Sequence, residues 1–80
     1  MKKLESSRDG IANTLRGQAD GPDLPIRVAA IEGLGELGGR SAVVHIEELM
    51  DAYHDKNDDD CLATWAALLR AYGRAARNLD

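Results

Sequence analysis

The chain has 80 residues, of which 44% are hydrophobic and 30% are charged, a balance that fits one folded domain and argues against disorder. Its apolar residues are mostly Ala, Leu, Ile and Val, with no Phe and one Trp, so packed helices are favoured over sheets. The net charge of −4 disfavours nucleic-acid binding because an acidic surface repels phosphates, and the single cysteine excludes an intrachain disulfide.

The first half of the chain predicts two helices. The first covers residues 3–18, and the loop 19–25, which contains two prolines and a glycine, ends it. The second begins at Pro25, a residue suited to a first helical turn. Gly38 and Gly39 end it because glycine accepts the left-handed backbone conformation. Its apolar positions lie three and four residues apart: Ile26, Ala29, Ala30, Gly33, Leu34 and Leu37.

The second half predicts two further helices. The third is capped by Ser41 and has the clearest amphipathic pattern, with an apolar side that consists of Val43, Ile46, Leu49, Met50 and Tyr53. After the loop 54–60, the fourth covers 61–72, and its inward side is predicted to consist of Leu62, Trp65, Leu68, Leu69 and Tyr72. Gly73 either stops this helix or lets it continue to residue 79. No segment alternates with a period of two, so residues 1–80 are predicted to form one all-α domain of four to five helices.

A shift of the sequence by 35 residues aligns apolar and glycine positions. It places Leu34 on Leu69 and Gly38 on Gly73. Our interpretation is one complete helix pair flanked by two half-units, an arrangement typical of helical repeats.

The segment DLPIRVAAIEGLGELG, residues 23–38, carries a resemblance to a known family. It looks like the first helix of HEAT-like repeats of the kind found in lyases that attach bilin chromophores. There, an apolar residue and an arginine precede paired alanines and a Leu-Gly-x-Leu-Gly motif. The matching residues are Ile26, Arg27, Ala29, Ala30, Leu34, Gly35, Leu37 and Gly38. The resemblance implies a short right-handed α-α superhelix, close approach of helices at the small residues, and an ion pair of Arg27 with an adjacent unit. The fourth helix departs from the motif at Leu62 and Trp65.

Several polar residues are candidate sites for which a structural role is favoured. The loop 55–60 imitates the start of an EF-hand loop but lacks its central glycine and its bidentate glutamate, so capping of the fourth helix is favoured over cation binding. His45 and Glu48 lie one turn apart, as do Asp51 and His54, and such spacing indicates surface pairs rather than metal ligands.

Cys61 is predicted at the N-terminus of the fourth helix, where a thiolate is favoured. Because no candidate base lies near it in the sequence, we interpret it as a structural cysteine.

A basic edge is predicted on the fourth helix, where Arg70, Arg74 and Arg77 recur at helical spacing. These arginines are expected to complement the dipole at the C-terminal end of the helix. The alternative is docking to an acidic partner, including the acidic face of a second copy's third helix. That face consists of Glu47, Glu48 and Asp51.

The sequence therefore predicts a non-enzymatic protein–protein interaction module with no catalytic residue, cofactor or metal. We expect self-association, with a dimer favoured, because a chain this short has little length to cap the apolar ends of a helix stack. No nucleic-acid partner is expected because the chain is acidic. No membrane partner is expected because no stretch approaches the roughly 18 apolar residues of a membrane span. The N-terminal MKKLESSRDG lacks the apolar run of a secretory signal, so a cytoplasmic protein is expected.

The alternative is an accessory protein or enzyme resembling HEAT-like chromophore lyases or metal-dependent HEAT-like hydroxylases. Such a role would need a pocket between helices, lined by His45, Asp51, His54 or Cys61.

Overall fold

The computed structural model describes residues 7–79. Four helices occupy most of that range: α1 (Arg8–Gln18), α2 (Leu24–Leu37), α3 (Gly39–Tyr53) and α4 (Asp59–Arg77). The prediction of an all-α fold is confirmed, and no strand occurs within residues 7–79. The predicted start of the first helix, residues 3–6, lies outside the described residues.

Short polar side chains begin two of the helices. Ser7 Oγ accepts a hydrogen bond from the Gly10 N–H at the start of α1. The Asp58 carboxylate accepts one from the Cys61 N–H at 2.8 Å, where α4 begins. Each bond satisfies a backbone donor that has no partner within its helix. The prediction that an acid of the loop 55–60 caps the fourth helix is therefore confirmed.

The turn between α2 and α3 depends on glycine. Gly38 has φ +67° and Gly39 has φ +88°, a region that L side chains rarely adopt. The chain therefore reverses within a single non-helical residue, and α3 begins at Gly39. The prediction of a cap at Ser41 is wrong, because Gly38 is the N-cap residue and α3 begins at Gly39, which leaves Ser41 inside the helix.

The helices form two layers of parallel neighbours. α2 and α4 are parallel, because Arg27 of α2 contacts Thr64 of α4 and, further along both helices, Glu32 contacts Arg70. In the same way, Asn13 of α1 is hydrogen-bonded to His45 of α3, and Arg16 lies near Glu48 one turn further along both helices. α1 and α3 are therefore also parallel. Because α2 and α3 each contact all the other helices, they occupy the centre, and α1 and α4 lie at the two ends.

α2 and α4 pack at very close range. A Cβ atom added to Gly35 would lie 2.8 Å from the Ala71 Cα atom, so neither position accepts a larger side chain without moving a backbone. The buried side of α4 is accordingly small, apart from Leu68, and consists of Thr64, Ala67, Leu68, Ala71 and Ala75.

Two helices are rotated relative to the prediction. Leu62 is 51% exposed and Leu69 is 49% exposed, so the prediction that they face inward is wrong. On α2, Ile26 is 50% exposed, whereas Arg27 and Ile31 are buried. The buried side of α4 consists mostly of small residues, with Leu62 and Leu69 on its opposite side, whereas the buried side of α2 still includes Ile31 and Leu34. In addition, Gly73 does not stop α4, which continues to Arg77.

Candidate interaction surfaces of the fourth helix

Arg27, the arginine of the repeat-like segment, is a buried cation that is 8% exposed. Its Nε donates to Thr64 Oγ1 at 3.1 Å, and its Nη1 donates to the Gly21 carbonyl oxygen at 3.0 Å. Its guanidinium also lies 5.7 Å from the centroid of the Tyr53 ring, within cation–π range. Within residues 7–79 it therefore joins three parts of the chain through neutral groups, and the predicted pairing with an acidic residue is not formed there.

The basic edge of α4 faces α2, and two of its arginines are paired within the chain. Arg70 Nη2 and Nε donate to Glu32 Oε2 at 2.7 and 3.2 Å. Arg74 Nη1 donates to Glu36 Oε2 in the same way, one turn further along. Arg77 lies in the last turn of α4, where its charge complements the helix dipole. The guanidinium groups of Arg70 and Arg74 are thus already bonded to acids of α2.

The side of α4 opposite its buried residues is apolar, and no other helix of residues 7–79 covers it. Successive residues on this side are four and three positions apart, the spacing with which one helix packs against another. Leu62 and Leu69 supply most of its apolar area, since each is about half-exposed. We call this side the outward stripe; it consists of Leu62, Ala66, Leu69, Gly73 and Ala76, all of them exposed.

Charges of opposite sign lie beside the two ends of the outward stripe. Asp59 is in the first turn of α4 and Arg77 is in the last. They are separated by about five helical turns and so lie on the same side of the stripe. Both are exposed.

A groove of about 520 Å³ separates α3 from the neighbouring edge of α4. We call it the α3–α4 groove. Its apolar part consists of Val44, Met50, Trp65 and Tyr72, and its polar part consists of Glu47, Glu48, Asp51 and His54. The structure therefore brings the predicted acidic face of the third helix together with the two aromatic residues of α4.

The three groove carboxylates differ in what they contact. Glu47 Oε2 accepts a hydrogen bond from the Tyr72 hydroxyl at 2.7 Å, and this bond raises the pKa of Tyr72. Glu48 Oε1 lies 3.6 Å from Arg16 Nε and 3.5 Å from His45 Nδ1. The Asp51 carboxylate has no ion pair or hydrogen bond with another residue of 7–79.

The histidines contact surface neighbours. His45 lies between Glu48 and Asn13, whose Oδ1 is 3.2 Å from His45 Nε2; the predicted surface pair of His45 with Glu48 is therefore present. His54 Nδ1 donates to the main-chain carbonyl of Asp51 at 2.9 Å rather than to its carboxylate. Of the four residues that the enzyme alternative names as possible pocket lining, Asp51 and His54 line the groove, and His45 and Cys61 do not.

Cys61 lies in the first turn of α4, as predicted, next to the capping Asp58 carboxylate. A hydrogen bond with the Asp58 carboxylate raises the pKa of Cys61, with a further contribution from desolvation. The capping carboxylate beside the sulfur therefore opposes the effect of the helix N-terminus on the thiol.

Within the described part of the chain, no three His, Cys, Asp or Glu side chains are grouped so that they could hold a metal ion. None of α1 to α4 has the length and apolar character needed to cross a membrane. Searches of family models, curated proteins and solved structures give no significant match to this chain. The HEAT-like resemblance of residues 23–38 therefore stays a prediction.

Proposed function

We propose that the chain is a non-catalytic protein-interaction module of stacked helix pairs, and that it dimerises through the outward stripe of α4. The observation that carries the proposal is the half-exposure of Leu62 and Leu69 on a side of α4 that no other helix covers within residues 7–79. Apolar side chains at this spacing stabilise a pair of helices when the contact between the helices removes these side chains from water.

The arrangement of the helices supports this proposal. α1 and α3 form one layer, α2 and α4 form the other, and each helix runs parallel to its neighbour within the layer. In a longer stack built this way, the next helix pair would cover the outward side of α4. No helix of residues 7–79 occupies that position, and a second copy of the chain would fill it.

A two-fold arrangement with antiparallel α4 helices suits both the shape and the charges of the stripe. Gly73 and Ala66 leave room for Leu62 and Leu69 of the other copy. An antiparallel pair also brings Asp59 of each copy close to Arg77 of the other, whereas a parallel pair would place these residues on opposite sides of the contact and form no such ion pair. Because each copy contributes the same patch, the contact closes on itself and ends at a dimer.

The mass of the protein in solution tests the proposal. Light scattering and sedimentation equilibrium over a concentration series should show a chain that reaches twice its monomer mass. The variant Leu69→Glu should weaken dimerisation about tenfold or more, because a carboxylate would be buried between two helices. The matched control is Ile26→Glu, which changes an equally exposed apolar residue on α2, outside the stripe, and should leave the dimer intact.

Circular dichroism checks that Leu69→Glu and Ile26→Glu are folded. Both variants should retain the helical content of the unmodified chain. A chain that stays monomeric at every concentration would refute the proposal. So would a dimer that Leu69→Glu and Ile26→Glu weaken equally.

A further inference from the structure

We infer that the α3–α4 groove is a second interaction surface, which binds a cationic amphipathic segment of another protein. This inference goes beyond the proposed dimer and does not rest on it. The groove and the outward stripe occupy different sides of α4, since Trp65 and Tyr72 lie toward α3 and Leu62 and Leu69 point away from the core.

The size and apolar lining of the groove fit a short segment of polypeptide. Trp65 and Tyr72 are about two helical turns apart on α4, and Val44 and Met50 are nearly two turns apart on α3. The groove can therefore take the apolar side chains of about two turns of a helix. Its volume of about 520 Å³ is within the range of small binding sites.

The charge of the groove selects a cationic segment over a neutral or acidic one. Three carboxylates line it, and the Asp51 carboxylate is not bonded to another residue of 7–79. Lysine or arginine side chains of a partner would complement these acids, and the ring faces of Trp65 and Tyr72 also attract cations.

A second copy of the chain is the less suitable occupant of this groove. The basic edge of α4 would have to supply the cations, but Arg70 and Arg74 already donate to Glu32 and Glu36. Breaking those two ion pairs would offset the new contacts. The same contact would also join unlike surfaces, which build rings or open chains rather than a two-fold dimer.

The single tryptophan of the chain, Trp65, lines the groove and provides the measurement. Its fluorescence would be titrated with a synthetic helical peptide that has lysines on one side and leucines on the other. The control peptide carries glutamate in place of each lysine. Both peptides are added to the unmodified chain and to Leu69→Glu. We expect a saturable blue shift with the lysine peptide only, in both proteins, and weaker binding at high salt.

Charge reversal at the groove sharpens the test. Asp51→Lys should weaken binding of the lysine peptide about tenfold. The matched control is Asp9→Lys, which makes the same charge change at the start of α1, outside the groove, and should change the affinity less than twofold. Circular dichroism checks that both variants fold.

Three outcomes would overturn the inference. They are equal binding of the two peptides, equal effects of Asp51→Lys and Asp9→Lys, and a Trp65 shift in Leu69→Glu that depends on protein concentration without any response to peptide. The last outcome would assign the groove to a second copy. These three outcomes do not test the dimer, because the mass measurements and the Ile26→Glu control test that proposal separately.

Discussion

The two edges of α4 have opposite characters. Toward α2, the helix is held by the contact of Gly35 with Ala71, by the hydrogen bond of Arg27 with Thr64 and by surface ion pairs. Toward α3, a groove lies beside the core contacts, and within residues 7–79 the polar link between α3 and α4 is the hydrogen bond of Tyr72 with Glu47. We therefore expect residues on the α2 edge to control the stability of the fold and residues on the α3 edge to control binding.

The largest loss of stability is expected from Gly35→Ala. The added methyl group would lie 2.8 Å from the Ala71 Cα atom, so one helix backbone must move and the core contacts on both sides must loosen. We expect the free energy of unfolding to fall by about 3 kcal/mol, at the upper end of the usual cost of overpacking. Urea denaturation followed by circular dichroism measures it.

Gly33→Ala is the matched control for Gly35→Ala. It adds the same methyl group to the same helix, but the nearest atoms, at 3.3 Å, belong to the flexible end of the Leu15 side chain. Its gain in helix propensity of up to about 1 kcal/mol should offset most of any strain. If both variants lose the same stability, the close contact of α2 with α4 is not what holds that edge.

A smaller loss is expected when Arg27 is replaced by methionine. The variant removes hydrogen bonds to Thr64 and Gly21 and the cation over Tyr53. Methionine keeps much of the apolar volume and removes the cost of burying a charge. Because Thr64 Oγ1 also donates to the Asp60 carbonyl oxygen, it does not lose all its partners. We expect a loss of about 1–2 kcal/mol in the free energy of unfolding.

Arg77→Met makes the same chemical change at an exposed position of α4. Its effect on monomer stability should stay within about 0.5 kcal/mol. To exclude the dimer from the comparison, both substitutions are made in the Leu69→Glu background. Arg27→Met with an effect no larger than that of Arg77→Met would show that the buried guanidinium contributes nothing to the α2 edge.

Local signals in the sequence predicted the helices but not their rotation. Pro25 lies in the first turn of α2, Gly38 makes the reversal into α3, and an acid of the loop 55–60 caps α4. Each of these depends on neighbouring residues alone. The exposure of Leu62 and Leu69 depends instead on how closely α4 approaches α2, and that distance is set by residues far away in the chain.

The groove shows the same division between local and distant information. The helical period placed Glu47, Glu48 and Asp51 on one side of the third helix, and the structure has them on one edge of the groove. The same period could not show that Trp65 and Tyr72 of α4 lie opposite, because that requires the packing of α3 against α4. The helical period also could not predict the burial of Arg27, because its partner Thr64 belongs to another helix.

The smallest effect on stability is expected at the α3 edge, from Tyr72→Phe. This variant removes only the hydroxyl that donates to Glu47, and we expect Tm at neutral pH to change by no more than about 3 °C. The change should be clearest in the pH dependence. Because the bond to Glu47 raises the pKa of Tyr72 above its unfolded value, its contribution is complete below the usual tyrosine pKa of about 10. It is lost as pH rises through the raised value.

Thermal unfolding of the unmodified chain and of Tyr72→Phe between pH 8 and about 11 isolates this contribution. Burial also raises the pKa of Tyr53, so both proteins should lose stability at high pH, and the unmodified chain should lose more. The hydroxyl is also expected to hold Glu47 away from a cationic partner, so Tyr72→Phe should bind the lysine peptide at least as tightly as the unmodified chain does. If Tyr72→Phe lost as much stability as Gly35→Ala, the two edges of α4 would not differ as proposed, and the groove would be part of the structural core.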